Sequence, residues 1–164
     1  MFSGSEEQTH ARPLNLNMDP LSITAATIGI SHAAIASIVS LRNNIGAFQD
    51  AQEVLGDIRT QLENIQKPLE TLKTLTVPDA DTLAVTTETL TKCGVAEAVN
   101  DCGDKCAAFE KKLQRWTRHS PEGRLSHRDR VALGIWNQEK VNTFKARVET
   151  CRSSVHFAVA SVQL

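Results

Sequence analysis

The sequence predicts an all-α protein: a bundle of four or five long antiparallel helices plus one short helix. Three observations carry this. Apolar residues recur at 3-4 spacing along several long segments, the mark of helices with one buried face. Glycine and proline are scarce, eight and five in 164 residues, too few to punctuate an all-β chain. The aromatic supply is thin, five Phe, two Trp and no Tyr, so the core must be mostly aliphatic, which suits helix-on-helix packing. The runs VQL and LTV are too short to count as strands.

Residues 1–17 are polar and aperiodic and are expected to form a flexible tail; the helical domain then spans residues 18–164. Asp19 and Pro20 have the character of an N-cap and a first helical residue. From Pro20 to Leu41 there is no Asp, Glu, Lys or Arg, and His32 is the only titratable side chain. One stripe runs through Leu21, Ala25, Ile28, His32, Ile35 and Val39. Ile23, Ala26, Ile30, Ala34, Ile38 and Leu41 lie off it, so the helix is apolar all round. Twenty-two helical residues would span about 33 Å, close to the hydrocarbon thickness of a bilayer. Ala, Ser and Thr dilute the segment, however, and it lacks the Leu and Phe density of a membrane span. Burial at the centre of the bundle, with low exposure on most sides, is the expectation. His32 then reads as a hydrogen-bonded core histidine rather than a pH switch.

After Arg42-Asn43-Asn44 a second helix carries Phe48, Ala51, Leu55, Ile58, Leu62, Ile65, Leu69 and Leu72 on one face. Asp50, Glu53, Asp57, Glu63 and Lys67 occupy the other. Pro68 is expected to kink this helix without ending it. Val77-Pro78-Asp79 is a break. A third helix follows with Leu83, Thr87 and Leu90 inside. A clean stripe then runs through Val95, Val99, Cys102, Cys106, Phe109, Leu113 and Trp116. The two stripes are out of phase at Gly94, which marks a break within one helix or a boundary between two. His119 to Gly123 is a loop. Ser126 and Asp129 have capping-box spacing, so a short helix starts at Ser126, with Gly134 expected to end it. Val141, Phe144, Val148, Cys151, Val155, Ala158 and Val162 form the last stripe.

The net charge of −1 conceals an asymmetry. Residues 1–110 carry 15 acids and 7 bases, a balance of −8; residues 111–164 carry 4 acids and 11 bases, a balance of +7. Such polarity steers two copies together, turns one face towards an anionic surface, or cancels between neighbouring helices. The strongest polar cluster is KKLQRWTRHSPEGRLSHRDR. It sets Lys111, Lys112, Arg115, Arg118, Arg124, Arg128 and Arg130 against Glu122 and Asp129, with Trp116 inside. These eight residues, the seven bases and Trp116, are the candidate contacts for anionic lipid or another anionic surface. The alternative is that Arg128 and Arg130 hold the loop by binding helix carbonyls or acids of the second helix. Nucleic acid is not an expected ligand, since the overall charge is near zero and one aromatic interleaves the bases.

No catalytic chemistry is legible. There is no G-x-x-x-x-G-K, no G-x-G-x-x-G and no G-x-S-x-G. Cys151 and His156 stand on different helix faces. An enzyme is not expected, nor is any cofactor. The cysteines Cys93, Cys102, Cys106 and Cys151 lack the paired ligand spacing of a zinc site, so no metal is expected either. No apolar h-region lies in the first 17 residues, which points to a cytoplasmic, reducing compartment and free thiols.

Two blocks resemble a known family: MDPLSITAATIGI, from Met18, and the stretch from Cys106 to Cys151. In the second, Trp116, His119-Ser120, Glu122-Gly123, Ser126, Arg128-Asp129-Arg130, Gly134 and Cys151 carry the likeness. Both are similar to the fungal N-terminal domain of NLR/STAND proteins, a HeLo-like helical domain, whose family is named after the azaphilone pigment cluster protein L. The resemblance covers Met18 to Leu164. It implies a non-enzymatic effector or signalling domain of fungal intracellular recognition and cell death. It also implies conditional membrane activity, with the helix bearing Leu21, Ile28, Ile35 and Leu41 as the inserting element. Self-association, an unnamed protein partner and anionic membrane lipid are the expected contacts. Two other readings stand beside it: a carrier whose small residues Ala25, Ala33, Ala34 and Cys102 leave an apolar tunnel for a lipid-like ligand, and a purely structural oligomer.

Overall fold

Four apolar stripes need four partners, and the chain satisfies them by closing a ring of helices. The computed structural model describes residues 21–22, 26–48, 52–74, 76–120 and 124–162. Helix α1 is His32–Ala47 and α2 is Gln52–Thr74. Helix α3 is Ala80–Lys92, α4 Val95–Trp116, α5 His127–Val131 and α6 Gln138–Val162. Two residue pairs, β1 Leu21–Ser22 and β2 Thr76–Val77, form a small antiparallel ladder. The described residues thus make an all-α bundle of five long helices and one short one, as the periodicity predicts.

In the ring, α1 packs on α2 and α4, and α6 packs on α2 and α4; α3 lies against α6 and α4. Arg42 donates to Gln66 at 2.7 Å and Gly46 sits beside Arg59, so α1 and α2 run antiparallel. Phe109 stacks on Phe144 with centroids 4.2 Å apart, and Lys140 Nζ lies 5.9 Å from the Trp116 ring, so α4 and α6 are antiparallel too. Ser31 meets Asn100, Ala34 meets Gly103, and Asn44 meets Glu110; α1 and α4 therefore run in the same direction. One ion pair, Lys145 with Asp57, joins the acidic α2 to the basic α6.

The stripes of α4 and α6 hold, and that of α2 holds from Leu55 on; Phe48 instead caps α1, and Ala51 lies outside the described residues. Leu55, Ile58, Leu62 and Ile65 are fully buried, as are Val99, Cys106, Val148 and Val155. Pro68 lies inside α2, which continues to Thr74. Gly94, at φ +65°, separates two consecutive helices, because only a left-handed residue turns the chain from the Cys93 cap into α4.

The first segment differs from expectation. No continuous helix runs from Leu21 to Leu41. Leu21 pairs with Val77 in β1, residues 26–29 form a turn, and α1 begins only at His32. The local reason is Gly29-Ile30-Ser31. Gly29 takes φ +85°, and the Ser31 hydroxyl caps α1 by accepting from Ala34 N–H at 3.1 Å. Asn100 completes the arrangement: its side-chain amide donates to Gly29 C=O and accepts from Ser31 N–H, both at 2.9 Å. The Asp19-Pro20 signal lies outside the described residues.

Nor is α1 buried on most sides. Its buried residues are Ala34, Ile38, Leu41 and Ile45, while His32, Ala33 and Ala36 are exposed and Ile35 and Val39 half-buried. The stripe through His32, Ile35 and Val39 is thus not the inner one, and His32 is no core residue. Arg42, Asn43 and Asn44 lie within α1, which ends at Ala47. Close packing selects the face. A Cβ on Gly103 would lie 2.4 Å from Ala34 Cα, so the two backbones touch where both side chains are smallest.

The tunnel-lining residues do not surround a tunnel. Ala33 is exposed, Ala34 sits on Gly103, Cys102 is buried in the α4–α6 seam, and Ala25 lies outside the described residues. The LTV run also departs from expectation, since Thr76 and Val77 do pair as a strand.

Gly103→Ala tests the close contact. Alanine is the better helix former by about 1 kcal/mol, yet overpacking should make this variant less stable by about 1–3 kcal/mol. Urea unfolding followed by circular dichroism reads the sign; a variant as stable as the parent would mean that α1 and α4 are not in backbone contact.

Candidate functional site

The basic segment folds into the corner where α4 hands over to α6. The α4 stripe turns Leu113 inward, which leaves Lys111, Lys112 and Arg115 in solvent. Trp116 is half-buried, its ring edge-on to Phe109 at 5.8 Å. It belongs to the edge of the core and is not free beside the bases. Helix α4 ends at Thr117, whose N–H and hydroxyl both donate to Leu113 C=O at 2.9 Å.

Asp129, 2% exposed, is the hub of the corner. Its carboxylate accepts from Ser120 Oγ at 2.6 Å and from His119 N–H at 3.1 Å, with His119 Nδ1 at 3.4 Å. Ser126 caps α5 by accepting from Asp129 N–H at 3.2 Å, and Ser126 N–H donates to Ser120 Oγ at 2.9 Å. The Ser126–Asp129 spacing does start a helix, as read from the sequence. The acid does not reach back to Ser126 N–H; Ser120 takes that place, and the carboxylate instead ties down the end of the α4 turn. Burial raises the Asp129 pKa, but the donors from Ser120 and His119 outweigh it and hold the carboxyl below its ordinary value.

Arg118, Arg124, Arg128 and Arg130 all stand exposed around this hub. Asp129 ties the His119–Ser120 end of α4 to the start of α5. In sequence Asp129 reads as a capping acid and a counter-charge, which misses this longer reach; its one legible signal is the His-Ser pair upstream of the capping spacing. Gly134 does not end α5. The helix continues as a π turn, Ala132–Trp136, because Asn137 donates to Ala132 C=O through both its N–H, at 3.1 Å, and its side chain, at 2.9 Å.

A groove of about 290 Å³ extends the basic surface along α4 and α6. The stacked Phe109 and Phe144 form its floor, and Lys105, Lys112, Lys140 and Arg147 stand around it with Glu139. Among the described residues there is no group of three His, Cys, Asp or Glu placed to hold a metal ion. The other candidate element is dispersed: Leu21 lies in β1, Ile28 is buried in the turn, and Ile35 and Leu41 lie in α1 with only Leu41 fully buried. No helix among the described residues is long and apolar enough to cross a membrane.

Ring, corner and groove define a helical-bundle domain with one basic edge. The chain belongs to the family described as pigment biosynthesis cluster protein PigL N-terminal, which matches residues 18–164. No curated protein and no solved structure matches the chain.

Asp129→Ala should remove the hub and cost about 1–3 kcal/mol, since it leaves the partly buried His119 N–H and Ser120 hydroxyl unpaired. The folded-state pKa lies below 3.8, so the ionised carboxylate stabilises the corner at pH above about 3.8, and the contribution fades as pH falls through the folded value. Thermal melts from pH 7 to pH 3 should therefore show the gap between parent and variant narrowing only at the acid end. A constant gap would assign the loss to packing instead.

Proposed function

We propose that this domain is a non-enzymatic interaction and signalling module that presents its basic edge to acidic partners. One observation carries the reading. A buried carboxylate, Asp129, ties the end of α4 to α5, while Lys111, Lys112, Arg115, Arg118, Arg124 and Arg128 are exposed around it. The hydrogen bonds of the corner gather on Asp129, Ser120 and Ser126, and a cluster of like charges beside them repels itself until an anionic surface meets it. The adjoining groove, with cations around an aromatic floor, suits an acidic amphipathic segment. The family description supports a position ahead of other modules, as expected of a domain that recruits or relays.

Self-association is the first partner proposed, because the chain's own first 110 residues supply a balance of −8. A cytoplasmic domain of this kind would also reach anionic lipid through the same bases. Each base near such a surface is worth about 1 kcal/mol, and salt weakens the attraction. The close-packed Ala34–Gly103 contact favours this module over a carrier with an internal tunnel.

The test uses the intact chain and a charge reversal, Lys111→Glu with Lys112→Glu and Arg115→Glu, all at exposed positions. Sedimentation velocity at low salt should show mass rising with concentration for the parent, and a monomer for the variant or at high salt. Co-sedimentation with anionic vesicles runs in parallel, and lost binding in the variant would support the lipid extension. A parent that stays monomeric at high concentration and ignores vesicles would remove the docking reading.

A further inference from the structure

Three of the four cysteines converge in the α4–α6 seam. The Cys102 and Cys106 sulfurs lie 4.0 Å apart on α4, and Cys151 of α6 lines the same groove as Cys102. All three are buried and free, and Cys93 sits apart at the α3–α4 turn. The cluster is not sealed. Asp101, Cys102, Arg147, Thr150 and Cys151 line a groove of about 180 Å³ at the surface, so two of the thiols are within reach of a small solute. Cys106, fully buried, does not line it.

We propose that Cys102 and Cys151 form a peroxide-sensitive pair that closes a reversible disulfide between α4 and α6. Helix geometry selects the pairing. Residues at i, i+4 on a helix have Cβ atoms about 5–6 Å apart. A disulfide needs them about 3.5–4.5 Å apart. Cys102 and Cys106 therefore cannot bridge unless α4 unwinds. Cys151 is on a separate helix, where interhelix packing alone sets the separation.

Cys102 reacts first. It lines the groove, which Asp101 and Arg147 also line. Hydrogen bonds from Cys106 and then Cys151 draw the Cys102 thiol down, against burial and the Asp101 charge; the bond to Cys102 and burial push Cys106 and Cys151 up. The Cys102 sulfur attacks one peroxide oxygen: an S–O bond forms, the O–O bond breaks, and hydroxide leaves with the thiol proton as water. The Cys151 sulfur then attacks the Cys102 sulfenic acid. The S–S bond forms, the S–O bond breaks, and a second water leaves with the Cys151 proton. The two sulfurs lose two electrons and the peroxide gains them. In a reducing compartment such a bond is transient and reports oxidant. It would also lock the seam that carries the basic groove, though it stands independently of any docking there.

The experiment treats the intact, reduced chain with hydrogen peroxide after reductant is removed. Digestion without reduction and mass mapping then locate the products. A Cys102–Cys151 linked peptide is expected, with the intact mass lower by about 2 Da and restored by dithiothreitol. The oxidised protein should melt at higher temperature than the reduced one. Cys151→Ala should abolish the link and Cys106→Ala should keep it. Both variants are checked first by circular dichroism, and the map of the parent protein stands without them. A Cys102–Cys106 link, a crosslink between chains through Cys93, or unmodified Cys102 and Cys151 would each overturn the proposal.

Discussion

The contact between Ala34 and Gly103 sets the geometry of this bundle. Two helices that touch at the backbone have little freedom to rotate or slide against each other. With Gly103 fixed on Ala34, Ile38, Leu41 and Ile45 face the core at the next turns of α1, and Asn44 reaches Glu110. Upstream, the same register puts Asn100 against the backbone of Gly29 and Ser31. That pair of hydrogen bonds satisfies groups which a longer helix would have used internally. The start of α1 and the docking of Ile28 and Ile30 thus depend on one close approach.

A second constraint operates at the opposite side of the ring. The chain must turn from α4 into α6, and the turn exposes many polar groups. Asp129 answers this by gathering donors from the His119–Ser120 end of α4 onto the first turn of α5. The α4–α6 seam then has an order along its length. Near the start of α4 lie the thiols, in the middle the stacked Phe109 and Phe144, and at the end Trp116 with Lys140. The basic edge and the thiol cluster are therefore parts of one helix pair, and a change in its spacing is felt at both.

Sequence by itself determined every element whose two sides differ. In α2, α4 and α6 one face is apolar and the other charged, so the period identifies both the helix and its buried stripe. Gly94 and Ser126 were legible because a left-handed glycine and a helix cap act locally. Tertiary structure decided which face of the first segment is buried. A run apolar on all sides gives periodicity nothing to choose between, so the face of α1 was settled by where Gly103 leaves room for Ala34. Its starting point was set by Gly29 and the Ser31 cap, with Asn100, 69 residues from Ser31, completing their hydrogen bonds. The basic residues and the capping acid Asp129 could be found in the sequence, but not the bonds by which that carboxylate holds the end of α4. Asp129 shows its role only through partners across a loop, and one chain read in order does not show which distant groups a fold will bring to a buried charge.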